Sequence, residues 1–93
     1  MADLISVIIP VYNHASELLA CLEALEDQTY RNTEVVIVDD ASLEPVATVL
    51  EGKTYAFPYQ LIRLPTNQDA PHARNVGFAR SGGKLVIFLD ADI

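Results

Sequence analysis

Cysteine occurs once, tryptophan not at all, and glycine only four times in 93 residues. A lone Cys21 excludes an internal disulfide and fits a reducing compartment, so a cytoplasmic location is expected. Basic residues are scarce: six Lys and Arg stand against 13 Asp and Glu, a formal charge of -7. Such a surface repels nucleic acid and anionic lipid at long range, and neither is expected as a partner. No apolar run approaches the roughly 20 residues that a membrane helix needs. No membrane contact is therefore expected from this segment, which leaves room for a parent protein held at the cytoplasmic face of a membrane. Met1-Ala2-Asp3 does not open a basic-then-apolar leader, so no signal peptide is expected. Gly-x-Gly-x-x-Gly and Walker-type loops are both missing, which argues against dinucleotide and P-loop sites. No repeat, linker or low-complexity stretch interrupts the chain. At 51% apolar content, and above the roughly 60 residues at which one domain folds alone, residues 1–93 read as a single ordered domain.

What is present is four β-branched apolar runs: residues 5–9, 34–38, 59–64 and 84–89. The first, second and fourth are nearly continuous, as in strands covered on both faces of a parallel sheet; the third alternates, as an edge strand does. Helical patterns separate them. Leu18, Cys21, Leu22 and Leu25 follow one helix face, on which Cys21 reads as a small core residue. Val46, Val49 and Leu50 form a short second helix with Pro45 in its first turn and Gly52 after it. A third helix starts at Asp69, has Pro71 in its first turn, carries Ala73, Val76 and Ala79, and stops at Gly82-Gly83. The order β-α-β-α-β-α-β predicts an α/β fold: a three-layer, Rossmann-like half domain with a mainly parallel four-stranded sheet in the order 3-2-1-4.

Ligands of such sheets sit beyond the carboxyl ends of the strands, near the reversal of strand order. Four tips gather there: Pro10-Val11-Tyr12-Asn13, Asp39-Asp40-Ala41-Ser42, Pro65-Thr66-Asn67 and Asp90-Ala91-Asp92. Four acids in one place repel each other unless a cation sits among them. Asp90 and Asp92, two apart on a strand, point the same way. Their hard oxygen ligands suit Mn²⁺ or Mg²⁺, with substrate phosphates completing the shell. Against this, strand-end acids often only cap the next helix. Tyr12 is either a ring packed over the first helix or a platform for a base. Arg74 pairs with a phosphate, with a strand-end acid, or with both in turn. His14 and His72 lack partners at metal-ligand spacing and read as surface residues.

These blocks resemble glycosyltransferase family 2, the large inverting family with the GT-A fold. Residues 6–13 resemble its opening and residues 25–30 the end of its first helix. Residues 34–42 resemble its Asp-Asp-Gly-Ser strand; residues 73–77 and 88–92 resemble its last two blocks here. The resemblance covers nearly the whole chain. It implies that Pro10, Val11 and Tyr12, with Asn13 beside them, frame the base and ribose of a nucleoside diphosphate sugar, expected to be a UDP-sugar. Asp40 would accept a hydrogen bond from the base, and Asp39 would support the turn or share that contact. Arg74 would lie near base or phosphates. Asp90, with Ala91, would approach the ribose or metal-bound water, and Asp92 would ligate the metal. The metal would act as a Lewis acid on the leaving diphosphate.

Three positions depart from the family. Ala41 and Asp69 stand where glycine is common, so the turn at 41 is expected to do without an easy positive φ and Asp69 to serve as a helix N-cap. Ile93 stands where a third acid often follows. The family takes its acceptor site and catalytic base from a second half, which is absent here; the 93 residues alone are expected to bind donor weakly and to transfer no sugar. The bare edge of the fourth strand is expected to favour self-association. Two rival readings remain: a receiver-like phosphoacceptor domain, whose first strand residues 35–40 resemble, and a non-catalytic nucleotide-binding or assembly module.

Overall fold

The computed structural model of the chain describes residues 3–28, 30 and 32–91. Strand β1 (Ile5–Val11) leads to helix α1 (Ala15–Glu26), strand β2 (Thr33–Asp39), helix α2 (Val46–Leu50), strand β3 (Tyr59–Arg63), helix α3 (Ala70–Arg80) and strand β4 (Leu85–Phe88). The strands form one sheet in the order β3-β2-β1-β4, and all three pairings are parallel. Element types and strand order match the expectation.

The two central strands are apolar on both faces because both faces are covered. Val7, Ile9, Val11, Val35 and Ile37 pack with Leu18 and Leu22 of α1 and with Val46 and Leu50 of α2. The alternate residues Ile8, Val36 and Val38 pack with Leu64 and with Ala73 of α3. Successive strand side chains point to opposite faces, so these two sets are the two sides of one sheet. Right-handed crossovers explain why the helices divide this way. The chain steps outward from β1 to β2 to β3 with α1 and α2 on one face. It then reverses to β4, and the same handedness puts α3 on the other.

Helix α3 lies unusually close to the sheet. A Cβ on Gly77 would fall 2.4 Å from Ile8 Cγ2 and 3.2 Å from Val38 Cγ2. The buried face of α3 is therefore Ala73 and Gly77, with Val76 half-buried, while Ala79 is exposed. That corrects the expected face of Ala73, Val76 and Ala79. Small residues four apart let the backbone approach, and a search for apolar side chains passes over glycine. Below the sheet, the turn into β4 is pinned by Gly82 N–H donating to Glu34 (2.7 Å) and Gly83 N–H donating to Ser6 Oγ (2.8 Å). Ser6 Oγ in turn donates to Glu34 at 2.6 Å.

Cys21 is only half-buried. Burial pushes its thiol pKa up, which keeps it protonated and unreactive. The fourth strand departs from its expected two-sided cover: Leu85 and Ile87 on one face and Phe88 on the other are all exposed, as β4 is an edge strand paired with β1.

Candidate functional site

The reversal of strand order lies between β1 and β4, and a crevice opens beyond the carboxyl ends of the strands there, as the topology demands. It is a pocket of about 260 Å³. Pro10, Val11 and Tyr12 line it from the end of β1, and Asp40 from the end of β2. Asn67 and Asp69 come from the β3–α3 loop, Ala70 and Ala73 from α3, and Asp90 from beyond β4. The volume is close to the lower end of the range, about 300–1,000 Å³, of small-molecule sites. Tyr12 is 42% exposed, so its ring forms an open wall of the pocket rather than packing over α1.

Asp39 and Asp40 are neighbours in sequence that face opposite sides of the sheet. Asp39 is buried on the α2 side, where it accepts hydrogen bonds from Ser42 N–H (2.9 Å), Val46 N–H (2.9 Å) and the Arg63 guanidinium (2.8 Å). Arg63 also donates to the Ser42 carbonyl. Burial alone pushes the Asp39 carboxyl pKa up, but the bonds from Ser42, Val46 and Arg63 outweigh it and hold the group below its ordinary value. Asp39 thus fastens the turn that launches α2. It supports the turn and does not line the pocket, so four acids do not converge as expected.

Asp40 does line the pocket and organises it. Its carboxylate accepts from Asn67 Nδ2 (3.1 Å), Gln68 N–H (2.8 Å) and Asp69 N–H (2.8 Å). An ionised carboxylate has roughly four acceptor positions, so about one stays open toward the pocket. The turn after Asp40 takes the left-handed backbone without a glycine's ease: Ala41 adopts a φ of 64°. Asn13, also at positive φ, accepts from Leu43 N–H at 2.8 Å through its side-chain carbonyl, and its own N–H donates to Ser42 Oγ. Asn13 thus ties the β1 and β2 loops together beside the pocket instead of lining it. Asp69 occupies the N-cap position of α3, yet its side chain makes no capping bond.

Arg74 lies in α3, one residue past the pocket-lining Ala73, and donates to both oxygens of Asp90, at 3.1 and 3.3 Å. Both side chains are about a third exposed, so the pair is loose enough to exchange partners. Ala91 is buried in the core on the α1 side, which turns its side chain away from the pocket. Asp92, the expected metal ligand, lies outside the described residues, as does Ile93. Among the described residues no three His, Cys, Asp or Glu side chains gather as a metal-binding group. The pocket's ionic donors are nonetheless carboxylates, at Asp40, Asp69 and Asp90, and hard oxygen donors suit Mg²⁺ or Mn²⁺. With three acids and Arg74 nearby, an anionic ligand is disfavoured here unless a cation accompanies it.

Asn67, Asp69, Ala70 and Ala73 were not among the expected binding residues. Asn67 had one signal, its place at the third strand tip. The alanines had none, since their role is to leave room.

A family model described as glycosyl transferase family 2 matches residues 6–93. It includes the first strand and helix, which the receiver-like reading left unexplained. A glycosyltransferase of Haemophilus influenzae, itself uncharacterized, is 48% identical over 89 residues, covering 96% of this chain and 29% of that protein. The amylovoran biosynthesis glycosyltransferase AmsB of Erwinia amylovora is 37% identical over 94% of this chain and 30% of its own length. Among solved structures, S. aureus TarS in complex with UDP-GlcNAc superposes with a TM-score of 0.85 at 32% identity, over 96% of this chain and 26% of that one. The mannosyltransferase PcManGT from Pyrobaculum calidifontis, in complex with GDP-Man and Mn²⁺, gives 0.84 at 25% identity, over 99% of this chain and 28% of that one. The chain thus spans under a third of the length of each of these four relatives. With the sheet order, the crevice and the family model in agreement, the chain belongs to glycosyl transferase family 2 and has the GT-A fold of its solved relatives.

Proposed function

We propose that this chain forms the nucleoside-diphosphate-sugar-binding part of a cation-dependent glycosyltransferase that transfers its sugar with inversion. The observation that carries the reading is the pocket at the β1/β4 reversal, where an open tyrosine ring, a loop-organising aspartate and an Arg–Asp pair line or border one crevice. The complexes of TarS with UDP-GlcNAc and of PcManGT with GDP-Man and Mn²⁺ support it.

Each residue has a task in this reading. Tyr12 offers a π-face on which a base stacks. The open acceptor position of Asp40 takes one N–H of that base. Arg74 exchanges Asp90 for the diphosphate, a charge-assisted contact of the kind guanidinium groups form readily. Mn²⁺ or Mg²⁺ would be held by Asp90 and Asp92 and would supply Lewis-acid stabilisation of the leaving diphosphate. In the transfer itself the acceptor hydroxyl attacks the anomeric carbon as the bond to diphosphate oxygen breaks, and a base takes the hydroxyl proton. A whole enzyme of this kind would draw its base and acceptor site from the additional length that the relatives have. The 93 residues alone are expected to bind donor weakly and to transfer no sugar.

Thermal unfolding with UDP, GDP, Mn²⁺ and their combinations tests the reading. Nucleotide and cation together should raise the melting temperature more than the sum of either alone, since each screens the other's repulsion from the pocket acids. Equal melting temperatures in all conditions, at millimolar nucleotide, would rule it out.

A further inference from the structure

Two of the three acids lining the pocket have partners within the fold. Asp40 holds the β3–α3 loop and Asp90 pairs with Arg74. Asp69 differs. It caps nothing and no partner of its carboxylate is found among the described residues, although it lines the same pocket. Its backbone sits at φ 72°, ψ 172°, a region that is essentially glycine's own.

That conformation is imposed from both sides. Asp69 N–H donates to Asp40 Oδ2 at 2.8 Å, and its carbonyl accepts from Ala73 N–H at 3.1 Å. A glycine would meet both demands without strain. An aspartate meets them with strain, and it also adds a third negative charge to the crevice. Neither penalty is offset by a side-chain contact among the described residues. Strain of this kind persists at ligand-binding positions, where the side chain acts on something outside the fold.

The chemistry of the surrounding wall narrows what that something is. Asn67 Nδ2 and the N–H groups of Gln68 and Asp69 all donate to Asp40, so they are taken. Asp40 keeps about one open acceptor position. The Asp69 carboxylate, also acceptor-only, stands next to it along the chain's own hydrogen bond. This end of the pocket therefore accepts hydrogen bonds and donates none from these groups. It repels phosphate oxygens, which are better placed toward Arg74 and a cation.

We infer that Asp69 is a specificity-determining residue of the pocket, its carboxylate accepting a hydrogen bond from the nucleoside half of the donor substrate, from a ribose hydroxyl or a base N–H. The inference rests on the nucleotide-sugar reading and adds a second point of recognition beside Asp40.

Titration by NMR with UDP and GDP in the presence of Mg²⁺ tests it on the wild-type chain, Asp69→Gly and Asp69→Asn. Asp69→Gly should bind about tenfold more weakly, as expected for one lost charge-assisted hydrogen bond. Asn has nearly the shape of Asp and keeps a carbonyl acceptor, so Asp69→Asn should recover part of that loss. Two UDP analogues separate the sources, one lacking the ribose 2′-hydroxyl and one methylated at the base N–H. The analogue missing the contacted donor should lose about tenfold more on the wild type than on Asp69→Gly, the signature of a direct pair, because any loss of the Asp40 bond to the base is common to both proteins. Asp69→Gly should also melt no lower than wild type, because its strain is gone. Equal losses on both proteins with both analogues, binding by Asp69→Gly within twofold of wild type, or a lower melting temperature for that variant would each overturn the inference. If the wild type binds neither nucleotide, the nucleotide-sugar reading itself fails first, which is a separate result.

Discussion

Asp39→Asn isolates the structural half of the Asp39-Asp40 pair. The replacement keeps the shape and one carbonyl oxygen but turns the other acceptor into a donor. Asp39 Oδ1 accepts from Ser42 N–H and Oδ2 from Val46 N–H and Arg63. With Asn, one oxygen can still serve Ser42, while the new amide faces two donors. The orphaned Val46 N–H is at a buried position and costs about 1–3 kcal/mol. Arg63 has a side chain 43% exposed, so it rehydrates, and its lost pairing adds under about 1 kcal/mol. The expected total is about 1–4 kcal/mol, which for a domain of this size lowers the melting temperature by about 4–30 °C. Circular dichroism melts of wild type, Asp39→Asn and Arg63→Met measure it. Arg63→Met should shift the midpoint by only a few degrees. An Asp39→Asn midpoint within about 3 °C of wild type would refute the reasoning, because the buried N–H would then have found no penalty.

Three further outcomes are expected. Gly77→Ala should destabilise by about 1–2 kcal/mol in urea unfolding: overpacking against Ile8 and Val38 costs about 1–3 kcal/mol and the gain in helix propensity offsets up to about 1; a stabilised variant would contradict the close approach of α3. The carboxyl pKa of Asp39 is lowered from its ordinary 3.8 in the folded state, so its contribution is complete above that value and lost as pH falls through the folded pKa. Acid titration of stability below about pH 4 should therefore be steeper in wild type than in Asp39→Asn; parallel curves would show that Asp39 carries no such linkage. Arg74→Met should change stability by less than about 1 kcal/mol, since the pair is partly exposed. The same variant should bind Mn²⁺ more tightly without nucleotide and UDP more weakly with it; unchanged affinities would show that Arg74 and ligand do not compete for Asp90.

The fold was legible because its signals were large. Near-continuous β-branched runs at residues 5–9 and 34–38 can bury two faces only in a covered parallel sheet, and crossover handedness then leaves few topologies. The location of the pocket followed from that topology. What each acid does there was less legible. Asp39 and Asp40 look alike in sequence, and only the pleat decides that one faces Arg63 and the other the crevice. Ala41 and Asp69 take positive φ, against their residue type, because the hydrogen bonds of neighbouring loops outweigh local preference. Gly77 was missed as a core position because its contribution is the absence of a side chain. The apolar run of β4 shows the opposite error: it reads as covered on both faces, yet Leu85, Ile87 and Phe88 are 61%, 45% and 46% exposed. Self-association through that edge is still a proposal, which sedimentation at high concentration would decide.

Paramagnetic broadening by Mn²⁺ in the presence of UDP, read residue by residue from amide resonances, bears most directly on the assignment of the crevice. Signals of Leu89, Asp90 and Ala91 should fade first, with those of Tyr12, Asn67 and Asp69 shifting as nucleotide is added and those at the opposite end of the sheet, around Glu34 and Gly82, unchanged. Broadening spread evenly over the acidic surface, with no shift at Tyr12 or Asn67, would contradict a nucleotide and cation site at the β1/β4 reversal.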